Sequence, residues 1–361
     1  MRVNGIHWRS ISRARHAPEV QVIDQTRMPH HFGTVTLRTL EDAAQAIRTM
    51  RVRGAPLIGV TAAYGVAFAV KEDASDEALL RACALLGETR PTAVNLAWAL
   101  AAMKSALLPL APSARVDAAF AEADALAEQD VATCRALGEQ ALPMLQRVAA
   151  RTGGRVNVLT HCNAGWLATV DHGTALSPLF LAHDLGMDLH VWVDETRPRS
   201  QGYLTAWELQ QHGVPCTLVA DNVGGHLMQH GRVDLCIVGA DRVTRKGDVA
   251  NKIGTYLKAL AAADNGVPFY AAVPSSTFDW SLEDGVREIP IEERSEKEVH
   301  EISGRTAAGE LVTVTVTPPG TRACNPGFDV TPARLVTGIV TERGVCEATQ
   351  AGLARLFPER A

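Results

Sequence analysis

Two reactive side chains stand directly after short apolar runs: Cys162 in VNVLTHCNAG and Asp241 in DLCIVGADR. A cysteine at the end of a strand, followed by a small-residue turn and a helix start, can have its thiolate favoured by backbone N–H groups and the helix dipole. A buried small hydrophobe is the ordinary reading of any lone cysteine. The flanking His161 and Asn163 set Cys162 apart, because a plain turn needs no such polar groups. Asp241 emerges from apolar surroundings that disfavour ionisation, so its carboxyl can keep a proton near neutral pH and act as a general acid. Pairing with the adjacent Arg242, or capping a helix, is the alternative use for it.

Candidate anion ligands accompany the pair. Arg51 and Arg53 precede Gly54, Ala55 and Pro56, a glycine that lets backbone approach a ligand and a proline suited to a helix's first turn. Arg90-Pro91-Thr92 repeats that design, Asn251-Lys252 is expected to open a further helix, and Gln201-Gly202 is expected in the loop after LHVWVDETRPRS. A single arginine is most often a surface charge. Recurrence at helix starts beside glycine or proline points to phosphate capture instead. PSSTFD (274–279) fits either a polar site wall or a turn. GxGxxG, Walker, HExxH and GxSxG motifs are absent, and His30, His31 and His161 lack metal-ligand spacing, so no metal or nucleotide cofactor is expected.

These side chains need elements to carry them. From about 37 to 150 the chain reads as helices: Thr39 with Asp42 forms a capping-box-like start, Ser75 and Ser113 are expected caps, and 92–107 and 116–145 have helical spacing. The uncharged run Gly54–Val70 is broken by Pro56, Gly59 and Gly65 and reads as a buried helix rather than a bilayer span. After Gly153-Gly154, β-branched runs alternate with helical segments: 156–160, 189–193, 217–220, 234–240 and 268–273. The expected class is therefore α/β, a mainly helical N-terminal domain (1–150) followed by a doubly wound parallel sheet (151–361), with chemistry at the carboxyl ends of the strands. The segment Arg287–Thr317 reads as a peripheral extension.

Composition narrows the setting. The 361 residues are 47% hydrophobic, enough for a large core, and a formal charge of −5 argues against a broad nucleic-acid-binding face. Seven cysteines without a CxxC pair fit neither a disulfide framework nor a zinc knuckle, so a reducing cytoplasm is the expected home. The N-terminal arginines have no apolar signal core behind them, and no membrane association is expected.

Nine words of the chain, in order, resemble the methylthioribose-1-phosphate isomerase family, relatives of the regulatory subunits of translation initiation factor 2B. They are IDQTRMP, RVRGAPLIGV, RPTAVNL, THCNAGWLAT, VDETRPRSQG, TAWEL, GADRVTRKGDVANKIGTY, PSSTFD and NPGFDVTP. The resemblance implies a helical domain on a Rossmann-like domain, a cytoplasmic homodimer without cofactor, and conversion of 5-methylthioribose 1-phosphate to 5-methylthioribulose 1-phosphate in methionine salvage. It implies Cys162 and Asp241 as the catalytic pair and Arg53, Gly54, Ala55, Arg90, Gln201, Asn251 and Lys252 as contacts to the sugar phosphate. One departure stands out: QGYL has one residue fewer before LTAWEL than the family's usual wording, which implies a shorter loop at Gln201. Isomerases of 5-deoxyribose 1-phosphate or ribose 1,5-bisphosphate, and a non-catalytic regulatory subunit, remain open as alternatives. So does a cysteine hydrolase built on Cys162 and His161.

Overall fold

The computed structural model describes residues 1–90 and 94–360. Helix α1 (Leu40–Arg48) starts at a capping box in which Thr39 and Asp42 satisfy each other's backbone N–H groups. Helix α2 (Ala55–Glu72) is apolar on nearly every side and buried from Leu57 to Val70, and α3 (Asp76–Gly87), capped by Ser75, packs against it. Helix α4 (Val94–Leu107) and α5 (Pro112–Thr152) close the bundle around α2. The expected start at Pro91-Thr92 lies outside the described residues.

One local expectation changes here. Ser113 is not a cap: α5 begins after Ala111, because Pro112, with φ fixed near the helical value, already occupies the first turn. Before residue 37, where the sequence pattern placed no element, Ile11–Ser12, Val20–Ile23 and Thr34–Leu37 form an antiparallel sheet.

The 41-residue α5 spans about 60 Å and enters two cores. Its Ala119, Phe120 and Ala123 pack with Leu57, Phe68 and Leu79 of the helical bundle. Leu137, Ala141, Met144 and Leu145 pack on the large sheet. Gly153, with φ of 76°, ends it in the left-handed conformation that glycine adopts without strain.

The strands of the large sheet are numbered here in chain order: β1 (Val156–Thr160), β2 (Leu189–Asp194), β3 (Cys216–Val219), β4 (Leu235–Val238), β5 (Phe269–Ala272), β6 (Gly338–Thr341) and β7 (Gly344–Cys346). Their spatial order is β7-β6-β5-β4-β1-β2-β3. All neighbours are parallel except the β6–β7 hairpin at one edge. Period-two alternation sends Val156, Val158, Leu235 and Ile237 into the core shared with α5, and Leu159, Cys236 and Val238 into a core on the opposite face with Ala259 and Ala262. Both faces are thus covered, which is why these strands read as unbroken apolar runs. The five expected strands are all present; β6 and β7 were not anticipated.

The order reverses between β1 and β4, and such a reversal opens a crevice outside the carboxyl ends of the strands. A smaller sheet beside that crevice joins Phe278–Asp279, Arg242–Thr244, Val249–Lys252 and Phe328–Thr331. Asn251 and Lys252 therefore lie on a strand and do not open a helix. Residue 252 pairs with Phe328, and the helix Thr255–Asp264 begins only after Gly254, whose φ of 100° breaks the extended chain. Among the described residues no helix is long and apolar enough to cross a membrane.

Candidate active site

Cys162 follows β1 and Asp241 follows β4, so the two reactive groups stand on either side of the strand-order reversal. Both line one cavity. Cys162 holds φ at 69°, a left-handed conformation uncommon for a residue with a side chain. Two bonds fix it there: its N–H donates to Thr196 Oγ1 (2.9 Å), and its carbonyl accepts from Thr205 Oγ1 (2.8 Å).

The thiolate expectation needs correction. No α-helix follows Cys162; the chain turns through a three-residue 3₁₀ segment, Trp166–Ala168, and the next α-helix starts at Ser177. No helix begins at Cys162 to favour its thiolate, and burial pushes the thiol up to about 11, with Asp241 adding to the rise and Lys252, the Asn163 N–H and Arg53 only partly offsetting it. The resting group is a neutral thiol.

The Asp241 carboxyl sits in surroundings that favour its neutral form. Burial holds its carboxyl above the usual carboxylate range against the opposing pull of Lys252 and Arg90. Arg242 pairs with Asp279 at 3.2 Å, and the Asp241 carboxyl accepts no hydrogen bond from any described residue. Its backbone N–H donates to Ala250 O (2.9 Å), which ties it to the small sheet.

The other expected contacts surround this pair. Arg53, Gly54 and Ala55 bring the N-terminus of α2 to the cavity, with no acidic residue and no side-chain cap in its first turn. That leaves backbone N–H groups and the positive end of the helix dipole available to an anion. Arg53 donates to Gln25 O (2.9 Å), and burial beside Arg199 lowers its guanidinium to about 10. Arg90 pairs with Glu292 at 3.4 Å. Lys252 donates to Gly327 O (2.9 Å) and sits 4.1 Å from the Phe328 ring centroid; burial lowers its ammonium. Asn251 is held by Thr255 Oγ1 (3.1 Å). Arg51 does not reach the cavity.

Gln201 is not in a loop. It is the first residue of the helix Gln201–His212, and it lines the cavity. Three buried polar atoms here have no partner: Arg53 Nε, Arg90 Nε and Gln201 Oε1. Leaving such atoms unpaired is costly, and an anionic, hydroxylated ligand has the chemistry to satisfy them.

The segment Arg287–Thr317 is only partly peripheral. Its hairpin, Glu301–Arg305 with Leu311–Thr315, is largely exposed, but Ile289, Pro290 and Ile291 form a wall of the cavity and Glu292 grips Arg90. PSSTFD contributes Pro274 to the wall. Sequence patterns gave no signal for the Ile289–Ile291 wall or for Met50, which lines the cavity beside it, because apolar residues on irregular backbone have no period.

His161 does not serve Cys162. Its Nε2 donates to Ile253 O (2.8 Å) and its Nδ1 faces Asp194 (3.1 Å), itself 3.3 Å from Lys258. With both ring nitrogens engaged elsewhere, the cysteine-hydrolase alternative loses its base.

Gly54 gives a direct test of the anion cradle. Its φ is 95°, and an added Cβ would lie 2.3 Å from Ala168 O. Gly54→Ala is expected to cost roughly 1–3 kcal/mol of stability and to weaken sugar-phosphate binding, checked by denaturant unfolding and by titration of the ligand. Unchanged values for both would contradict the close approach of α2 to the cavity floor.

The Initiation factor 2 subunit family model matches residues 51–348. The chain is 62% identical, over its whole length and 99% of the relative, to the methylthioribose-1-phosphate isomerase of Methylorubrum extorquens. The crystal structure of 5-methylthioribose 1-phosphate isomerase from Pyrococcus horikoshii is similar with a TM-score of 0.82 and 37% identity, covering 98% of this chain and 96% of that one. A structure described as translation initiation factor eIF-2B subunit delta from A. fulgidus is similar with a TM-score of 0.80 and 36% identity, covering 98% of this chain and all of that one.

Proposed function

Because the chain belongs to the Initiation factor 2 subunit family and, within it, to the methylthioribose-1-phosphate isomerases, we propose that Cys162 and Asp241 perform that group's chemistry across the crevice between β1 and β4. The reaction is an aldose–ketose isomerisation, 5-methylthioribose 1-phosphate to 5-methylthioribulose 1-phosphate, a step of methionine salvage. The observation that carries the site assignment is the placement of a neutral thiol and a carboxyl that burial holds above the usual carboxylate range in one cavity, beside unpartnered arginine and glutamine atoms.

A pentose phosphorylated on its anomeric oxygen cannot open its ring spontaneously, so an acid must protonate the ring oxygen as the C1–O4 bond breaks. Asp241 supplies that proton. The hydrogen on C2 then moves to C1 with its electron pair, O2 becomes a carbonyl oxygen, and the proton released from O2 returns to Asp241. Cys162, un-ionised, acts by stabilising charge at C1 and C2 rather than as a thiolate base. The phosphoryl group lies among Arg53, Gly54, Ala55, Arg90, Gln201, Asn251 and Lys252.

The cavity wall of Met50, Ile289 and Ile291 suits a methylthio group at C5. A second phosphate there would need free cations, whereas Arg294, which contacts Met50 Sδ at 3.9 Å, is already bound to Glu292 and Glu298. A homodimer in the cytoplasm is the remaining part of the proposal. Incubating the protein with 1-phosphates of 5-methylthioribose, 5-deoxyribose and ribose, and following ketose formation by NMR, tests the reading. The methylthio sugar is expected to turn over fastest, and a lack of ketose from every sugar would refute catalysis.

A further inference from the structure

Behind Cys162 runs a chain of buried polar groups whose last member the mechanism above leaves unused. Asn163 lines the cavity. Its amide nitrogen donates one hydrogen to Thr205 Oγ1 (3.1 Å) and the other to Glu208 Oε2 (3.2 Å). The Thr205 hydroxyl spends its own proton on Cys162 O, so toward Asn163 it can only accept. Reversing the amide would set oxygen against oxygen at Thr205. Glu208 Oε1 is occupied by the Leu167 N–H (2.6 Å). Both amide hydrogens are therefore used, and Asn163 has only Oδ1, which takes no hydrogen bond from a described residue, to offer the cavity.

Arg53, Arg90 and Lys252 can only donate, which suits a phosphoryl group but not the hydroxyls of a sugar. Glu208 is a fully buried carboxyl on the Gln201–His212 helix, with no ion-pair partner among the described residues. Burial pushes it up to about 8, while the bonds from Leu167 and Asn163 and the Met1 amine favour the carboxylate. A carboxyl kept in so unfavourable a place, with its oxygens directed at one backbone N–H and one amide, does more than fill space.

We propose that Asn163 Oδ1 accepts a hydrogen bond from a ring hydroxyl of the pentose, with Glu208 and Thr205 as the positioning residues that hold the amide in that sense. This rests on the pentose-phosphate reading above. No proton transfer is assigned to the amide; its work is to orient the sugar beside Cys162.

The test uses the full chain at alkaline pH, above the value burial gives Glu208, with 5-methylthioribose 1-phosphate and its 2-deoxy and 3-deoxy analogues. Turnover is measured for the parent and 3-deoxy sugars, and inhibition for the 2-deoxy sugar. Asn163→Ala is expected to lose about 10- to 100-fold toward the parent sugar. It should match wild type toward whichever analogue lacks the contacted hydroxyl. Glu208→Gln fills the same volume, but its single oxygen must face the Leu167 N–H, so its NH₂ meets the Asn163 amide and forces it round. The same analogue-dependent loss is expected, with Asn163 intact and the melting temperature little changed. An equal loss toward all three sugars, or none, overturns the Asn163 contact. A wild-type pattern in Glu208→Gln overturns the positioning role. Wild-type protein inactive on the parent sugar would instead refute the isomerase reading.

Discussion

Asp241→Asn is expected to lower kcat about a hundredfold to ten-thousandfold while leaving substrate affinity close to wild type. The amide has the shape of the carboxyl but cannot protonate a departing ring oxygen. No described residue hydrogen-bonds the carboxyl, so the substitution breaks no side-chain hydrogen bond among them, and the backbone bond to Ala250 O survives it. The pH profile provides a second readout. Burial raises this carboxyl, so its active, protonated form persists above the ordinary carboxylate range and is lost as pH rises through the raised value. Wild-type kcat should therefore fall on the alkaline side through that ionisation, and the residual activity of Asp241→Asn should lack that limb. Unaltered kcat would remove Asp241 from the mechanism.

Cys162→Ala is expected to reduce kcat about a hundredfold to a thousandfold, the range found when a preorganised stabilising group is removed from a site. The left-handed backbone at 162 is no harder for alanine than for cysteine, and the bonds holding it use only backbone atoms of residue 162, so stability should change little. Isotope tracing then separates stabiliser from base. A thiol lifted to about 11 is almost wholly protonated at neutral pH, and substrate carrying deuterium at C2 should yield ketose with the label retained at C1. Label retained by wild type, together with slow but label-retaining turnover by Cys162→Ala, is the expected pair of results. Wash-out of the label into solvent in wild type would restore the thiolate-base route.

The elements that were readable in advance share a property: their patterns are local. The Thr39–Asp42 capping box and the Ser75 cap are bonds between residues three apart, and the five apolar strand runs need no knowledge of their neighbours. The errors at Asn251–Lys252 and Ile289–Ile291 have the opposite property. Asn251 and Lys252 look like a helix start, yet pairing with the distant strand Phe328–Thr331 holds them extended. Ile289–Ile291 become a cavity wall only because the chain folds back over the crevice.

The sequence by itself determined which chemistry was on offer: a thiol, a carboxyl and a set of cations, each placed by a run of residues just before it. Tertiary structure decided the state those groups are in. How far a thiol or carboxyl is removed from water, and which cations face it, depends on segments tens to hundreds of residues away. Cys162 is therefore a neutral thiol rather than the thiolate its local context allows. Likewise only the assembled fold uses up both hydrogens of the Asn163 amide, since Thr205 and Glu208 reach it from a helix some forty residues further along the chain.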